Sequence, residues 1–153
     1  MTLETVLLAV GPGDAERSHE LADAVLEVAT PAEATVVLAH VFTQSEYDEV
    51  VTRLEFDDDV DIDPDTVAVR HSTIRDLQAA FDESDVTYEV RGAVGDHGAA
   101  IVDLATEVDA DRVVVGGRRR SPTGKAVFGS TAQEVLLSAP APVTFVRSDD
   151  EQS

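Results

Sequence analysis

The chain has 153 residues, enough to enclose one substantial hydrophobic core, and its 43% hydrophobic content places it with globular rather than disordered proteins. Its 31 acidic residues against 11 basic ones give a formal charge of -20, which disfavours duplex nucleic acid and anionic membrane as partners. Cysteine is absent, so disulfides, thiolate nucleophiles and zinc-thiolate sites are excluded.

The opening MTLETVLLAVGPGD has no basic leader region, and its apolar run is only a strand long. It is therefore expected to be neither a signal peptide nor a membrane span, and the cytoplasm is the expected compartment. Residues 5–10, TVLLAV, read as a strand buried on both faces and ending at Gly11. Asp14 is placed to cap a helix carrying Leu21, Val25 and Val28 at helical spacing, with Pro31 closing it. ATVVLAHVF, 34–42, is a second strand rich in β-branched residues. From 43 to 65 the chain turns polar, with DDDVDIDPD its densest acidic run, and predicts a loop or poorly ordered insertion.

Helical periodicity returns over 66–84 through Val67, Ile74, Leu77 and Phe81, and VTYEVRGAV, 86–94, reads as a third strand. Asp96 then caps a helix with Ile101, Leu104, Ala105 and Val108 along one face. DRVVVGG is a fourth strand, followed by a basic loop, a short helix starting near Gly129, and a fifth strand, APVTFVR. One domain is expected over 1–147, with 148–153 a mobile acidic tail. This alternation predicts an α/β fold: five parallel strands, helices on both faces, right-handed crossovers.

In such sheets ligands sit beyond the carboxyl ends of the strands, where the strand order reverses. Two glycine-rich loops follow strands, GPG at 11–13 and GGRRRSPTGKAVFG at 116–129, and they face each other if strands one and four are neighbours. The stretch 116–131 holds four basic residues and no carboxylate. Gly129 opens a helix whose first N–H groups, with the hydroxyls of Ser130 and Thr131, can bind an anion. Arg118, Arg119, Arg120 and Lys125 supply countercharge. A solvated loop paired with the chain's own carboxylates is the alternative.

Other motifs fail on their own residues. GPG does not continue into a dinucleotide fingerprint, because Glu16 stands where the third glycine belongs. Asp59, Asp61, Asp63 and Asp65 alternate like calcium ligands, but Pro64 and Arg70 replace the required glycine and glutamate, leaving a solvated acidic loop. His19, His40, His71 and His97 show no paired ligand spacing; His40 and His97 fall at one end of the sheet and read as satisfied structural residues. No serine lies in a nucleophile elbow.

With these strands and loops in place, the chain resembles the universal stress protein family over nearly its whole length. The family's ATP-binding members carry G-x2-G-x9-G-[S/T] and a later P-V. Gly116 matches the first glycine, Gly129 the last, Ser130 the hydroxyl residue, and Pro142 and Val143 the P-V. Arg119 replaces the middle glycine, either filling the phosphate space or adding a phosphate contact, and Gly11 stands where an aspartate usually holds the nucleoside. Val41 matches a position lining the adenine pocket.

The resemblance implies a flavodoxin-like or Rossmann-like sheet ordered 3-2-1-4-5. It implies ATP, with Mg, or a related phosphorylated ligand, slow hydrolysis at most, and a homodimer through the last strand at Val143, Phe145 and Arg147. The competing expectation is a dimeric protein-interaction module of the same family that binds no nucleotide. The surface chemistry, one lysine beside ten arginines in so acidic a chain, resembles that of proteins working in concentrated salt, where the Debye length shrinks to roughly 3 Å.

Overall fold

A computed structural model describes residues 3–11, 14–54, 64–118 and 130–148. Its elements in chain order are β1 (Thr5–Val10), a 3-10 turn (Asp14–Arg17), α1 (Ser18–Ala32), β2 (Thr35–Phe42), α2 (Gln44–Leu54) and α3 (Pro64–Arg70). They continue with α4 (Ser72–Glu83), β3 (Tyr88–Val94), α5 (His97–Glu107), β4 (Arg112–Arg118), α6 (Ser130–Ser138) and β5 (Val143–Ser148). The five strands form one parallel sheet in the order β3-β2-β1-β4-β5, as the resemblance implied.

Alternation along the strands divides the core into two layers. Val6, Leu8, Val36 and Leu38 point to one face and pack under α1 and α4 through Leu21, Val25, Ile74 and Phe81. Leu7, Ala9, Val37 and Val113 point to the other and meet Ile101, Leu104 and Ala105 of α5 and Val135 of α6. Because both faces are covered, the central strands read as continuous apolar runs, which is why their positions were legible.

The polar stretch after β2 departs from the expected loop, since residues 44–54 form α2. Its start is a capping box: Thr43 Oγ1 accepts from Glu46 N–H at 3.2 Å, and Glu46 Oε1 accepts from Thr43 N–H at 2.8 Å. The acidic residues 55–63 that follow lie outside the described residues, as do the tail residues 149–153. The single helix expected over 66–84 is two helices, broken at His71. There the backbone is extended (φ -74°, ψ 136°) and the ring Nδ1 caps Thr73 N–H. Asp96 caps α5 as expected, accepting from Ala99 N–H.

Two further expectations about α1 give way. Pro31 does not end it: the helix runs to Ala32 and closes through Glu33 in the left-handed region, with Ala34 N–H reaching back to Ala29 C=O at 3.0 Å. Nor does Asp14 cap it. Arg17 holds the cap position without a side-chain bond, and Asp14 opens the preceding 3-10 turn instead. The reason is that its carboxylate is drawn back to the end of β1.

Candidate functional site

The strand order reverses between β1 and β4, and their carboxyl ends carry Gly11 and Gly116. Asp14 lies between them. Its Oδ2 accepts from Gly11 N–H at 2.8 Å, and its Oδ1 accepts from Arg17 Nη1. Both side chains are buried, so this is an ion pair shut into the crevice rather than a surface contact. Burial pushes the Asp14 carboxyl above its ordinary pKa, opposed by the Gly11 amide and the Arg17 guanidinium. Arg17 Nε is buried without a hydrogen-bond partner.

Gly116 is a glycine for a steric reason that the loop motif does not reveal. A Cβ there would fall 2.8 Å from Arg17 Cδ, 3.1 Å from Asp14 Oδ1 and 3.2 Å from Leu21 Cδ2, so the start of α1 rests directly on the strand backbone. Val41 is buried in the α5/α6 layer, and its carbonyl lies 3.9 Å from the position a Gly11 Cβ would take. Thus Gly11, Val41 and Gly116 do gather at the carboxyl ends of β1, β2 and β4.

Arg118 ends β4, and Ser130 and Thr131 open α6. Arg119 and Gly129, and with them Arg120 and Lys125, lie outside the described residues.

Beside this crevice, near the end of β2, His40, His71 and His97 gather. His97 Nε2 meets Glu46 Oε1 at 2.8 Å, tying the start of α5 to the start of α2. Burial works to raise the Glu46 carboxyl, but the Thr43 amide and His97 outweigh it and hold the pKa below its usual value. His97 is thus satisfied, as expected, whereas His40 is not. Both its ring nitrogens are buried without a partner, between Phe42 at 4.3 Å and His71 at 4.0 Å (ring centroids). Burial, helped by His71 and His97, lowers its pKa to about 3, so the ring is neutral at ordinary pH.

Sequence reasoning missed Arg17 altogether and assigned Asp14 only to a cap. The available signal was the i, i+3 acid–base spacing directly after a glycine turn. It also passed over the T-x-x-E pattern at 43–46, which was legible as it stood. Among the described residues no group of three or more His, Asp or Glu is placed to hold a metal ion, and no helix is long and apolar enough to cross a membrane.

A doubly wound sheet with glycine-edged strand ends at the reversal point defines a ligand-binding class of α/β proteins, and comparison narrows that class. A family model described as "Universal stress protein family" matches residues 2–147. This chain belongs to the universal stress protein family.

A "Universal stress protein" of Mycolicibacterium smegmatis is 37% identical over 79 residues, a match covering 51% of this chain and 61% of that relative's length. Among solved structures, a universal stress protein in complex with cAMP aligns with TM-score 0.66 at 21% identity, over 96% of this chain and 98% of the other. An Arabidopsis thaliana family member with AMP bound aligns with TM-score 0.64 at 15% identity, over 98% and 95% of the two chains.

Proposed function

We propose that this chain is a cytoplasmic stress-response protein, one domain over 1–147, that binds ATP or a related adenine nucleotide in the β1–β4 crevice and acts through its bound state. The carrying observation is the pairing of β1 with β4, which brings Gly11 and Gly116 to the reversal point of the sheet with α6 starting at the same end. The relatives with cAMP and AMP bound support a nucleotide as the ligand class. In this reading Gly129 and the N–H groups of Ser130 and Thr131 receive the phosphates, Arg118 and Arg119 supply charge, and Val41 borders the base. Mg accompanies the phosphates as counterion, and any hydrolysis is slow. In concentrated salt the charge of -20 is screened within a few ångströms and does not repel the nucleotide.

The test is calorimetric titration of ATP into the folded protein at about 1 M KCl, where the Debye length is roughly 3 Å. Saturable heat, abolished by Gly129→Glu, is the expected result; no heat from folded protein sinks the nucleotide reading.

The second reading, an interaction module without nucleotide, is favoured by the Asp14–Arg17 pair, which rests on Gly116 and accounts for that glycine without a ligand. Both readings include a homodimer through Val143, Phe145 and Arg147. β5 is an edge strand, Val143 and Phe145 are half-buried, and Leu137 on α6 is 79% exposed.

A further inference from the structure

The buried pair in the β1–β4 crevice is more than the fold requires. Side-chain exposure is 7% for Arg17 and 10% for Asp14, against 34% for Arg91 in its pairs with Glu89 and Glu107. Desolvating a buried ion pair costs about as much as its attraction gives, so packed apolar side chains would hold this position equally well. Paired charges kept in a crevice against that balance point to a functional position.

The two partners are unequally satisfied. Both Asp14 oxygens are engaged, Oδ2 with Gly11 N–H at 2.8 Å and Oδ1 with Arg17 Nη1. The guanidinium is held at Nη1 alone on that side, and its Nε, fully buried, has no acceptor. Nε is bonded to Cδ, the atom that stands 2.8 Å from the place of a Gly116 Cβ, so the unmet donor sits at the carboxyl end of β4. Buried donors are paired in nearly all proteins, and an oxyanion is the partner a guanidinium lacking an acceptor fits best.

Position agrees with this chemistry. Gly116 shares a strand face with Val114, which packs in the α1 and α4 layer, while Val135 places α6 on the opposite face. A ligand lying across the ends of β1 and β4 therefore has Arg17 on one side and the start of α6 on the other.

We propose that Arg17 is a phosphate-binding residue of this crevice and that Asp14 is its built-in competitor. The inference rests on the nucleotide reading of the crevice and adds to it the group that meets the phosphate next to the nucleoside. Because Nε is covered where it stands, the guanidinium exchanges Asp14 for the phosphate by swinging toward the ligand. Its unmet donor makes that exchange easier. Asp14 keeps the Gly11 amide, and burial already pushes its carboxyl above the ordinary pKa, so the group left behind takes up a proton readily.

The test is calorimetric titration of AMP into the full chain at about 1 M KCl, where long-range charge effects are screened. Wild type is compared with Arg17→Gln, Asp14→Asn and the double variant, with adenosine as the phosphate-free control. Arg17→Gln is expected to weaken AMP at least about tenfold, the loss of one charge-assisted hydrogen bond. Asp14→Asn, which keeps an oxygen for the Gly11 amide but no longer competes as an anion, is expected to tighten AMP. The double variant follows Arg17→Gln, and adenosine affinity is the same in all four proteins. A pair with a merely structural role moves both single variants in one direction. That result, or an AMP affinity unchanged by Arg17→Gln, overturns the role of Arg17 and leaves the nucleotide reading standing. Folded wild type that takes up neither AMP nor adenosine overturns both. If Arg17→Gln does not fold, the sign of Asp14→Asn and the uncharged double variant decide the matter.

Discussion

A neutral imidazole shut between Phe42 and His71, with no hydrogen bond at either nitrogen, ties the stability of this fold to pH. Unfolded, His40 titrates near 6.5; folded, near 3. Between those values the unfolded chain binds the extra proton, so this residue's contribution is fully present above about pH 6.5 and drains away as the pH falls toward 3. From pH 6.5 to 5 the loss from this residue is about 2 kcal/mol. His40→Leu is expected to remove that part of the acid slope, read as the change in urea unfolding free energy between about pH 7 and pH 5. An unchanged slope would place the acid sensitivity elsewhere.

At this scale the sequence was half legible. The inward face of His40 follows from its alternation with Leu38 and Phe42, but its neighbour His71 arrives from a helix start thirty-one residues on, which no local pattern announces. Arg17 was legible only in part, as the i, i+3 partner of Asp14. Its role depends on β4 lying beside β1, a fact of topology rather than of spacing.

Elements were read well where burial wrote a period and poorly where charge hid one. The central strands stood out because both sheet faces are covered there. α2 did not: its mixture of acids and hydroxyls resembles a loop, although Thr43 and Glu46 form a capping box and Gln44 bonds Asp48 one turn on at 2.9 Å. The break at His71 was hidden because the apolar period continues from Val67 into Ile74, while the backbone turns extended between them.

α3 itself exists to cover β3. A Cβ on Gly92 would collide with the Pro64 carbonyl oxygen, and Gly92 N–H donates to Asp65 Oδ1 at 2.7 Å. Gly92→Ala must therefore push helix and strand backbones apart, and is expected to destabilise by about 3 kcal/mol, seen as a lower urea midpoint. A midpoint within error of wild type would mean that α3 is free to shift.

At the scale of the molecule, charge and shape act together. Two copies side by side bring twice the charge of -20 into contact, so pairing through β5 is expected to tighten as KCl rises from about 0.15 to 1 M and the Debye length falls from about 8 to 3 Å. Light scattering across that range, with Phe145→Lys as the disrupted variant, checks it. A mass of one chain in wild type at high salt would rule the pairing out.

The two margins of the sheet are also unlike in what they allow. On the β3 side, the Asp65 carboxylate of α3 occupies the Gly92 backbone donor that a newcomer would need, and β5 is the opposite edge of the sheet. A sheet stoppered at one margin can be lengthened only at the other. Two copies meeting β5 to β5 across a two-fold axis would make a ten-stranded sheet with a stopper at each end. Growth by strand addition would then terminate at two, and such pairing would itself guard the chain against fibre formation.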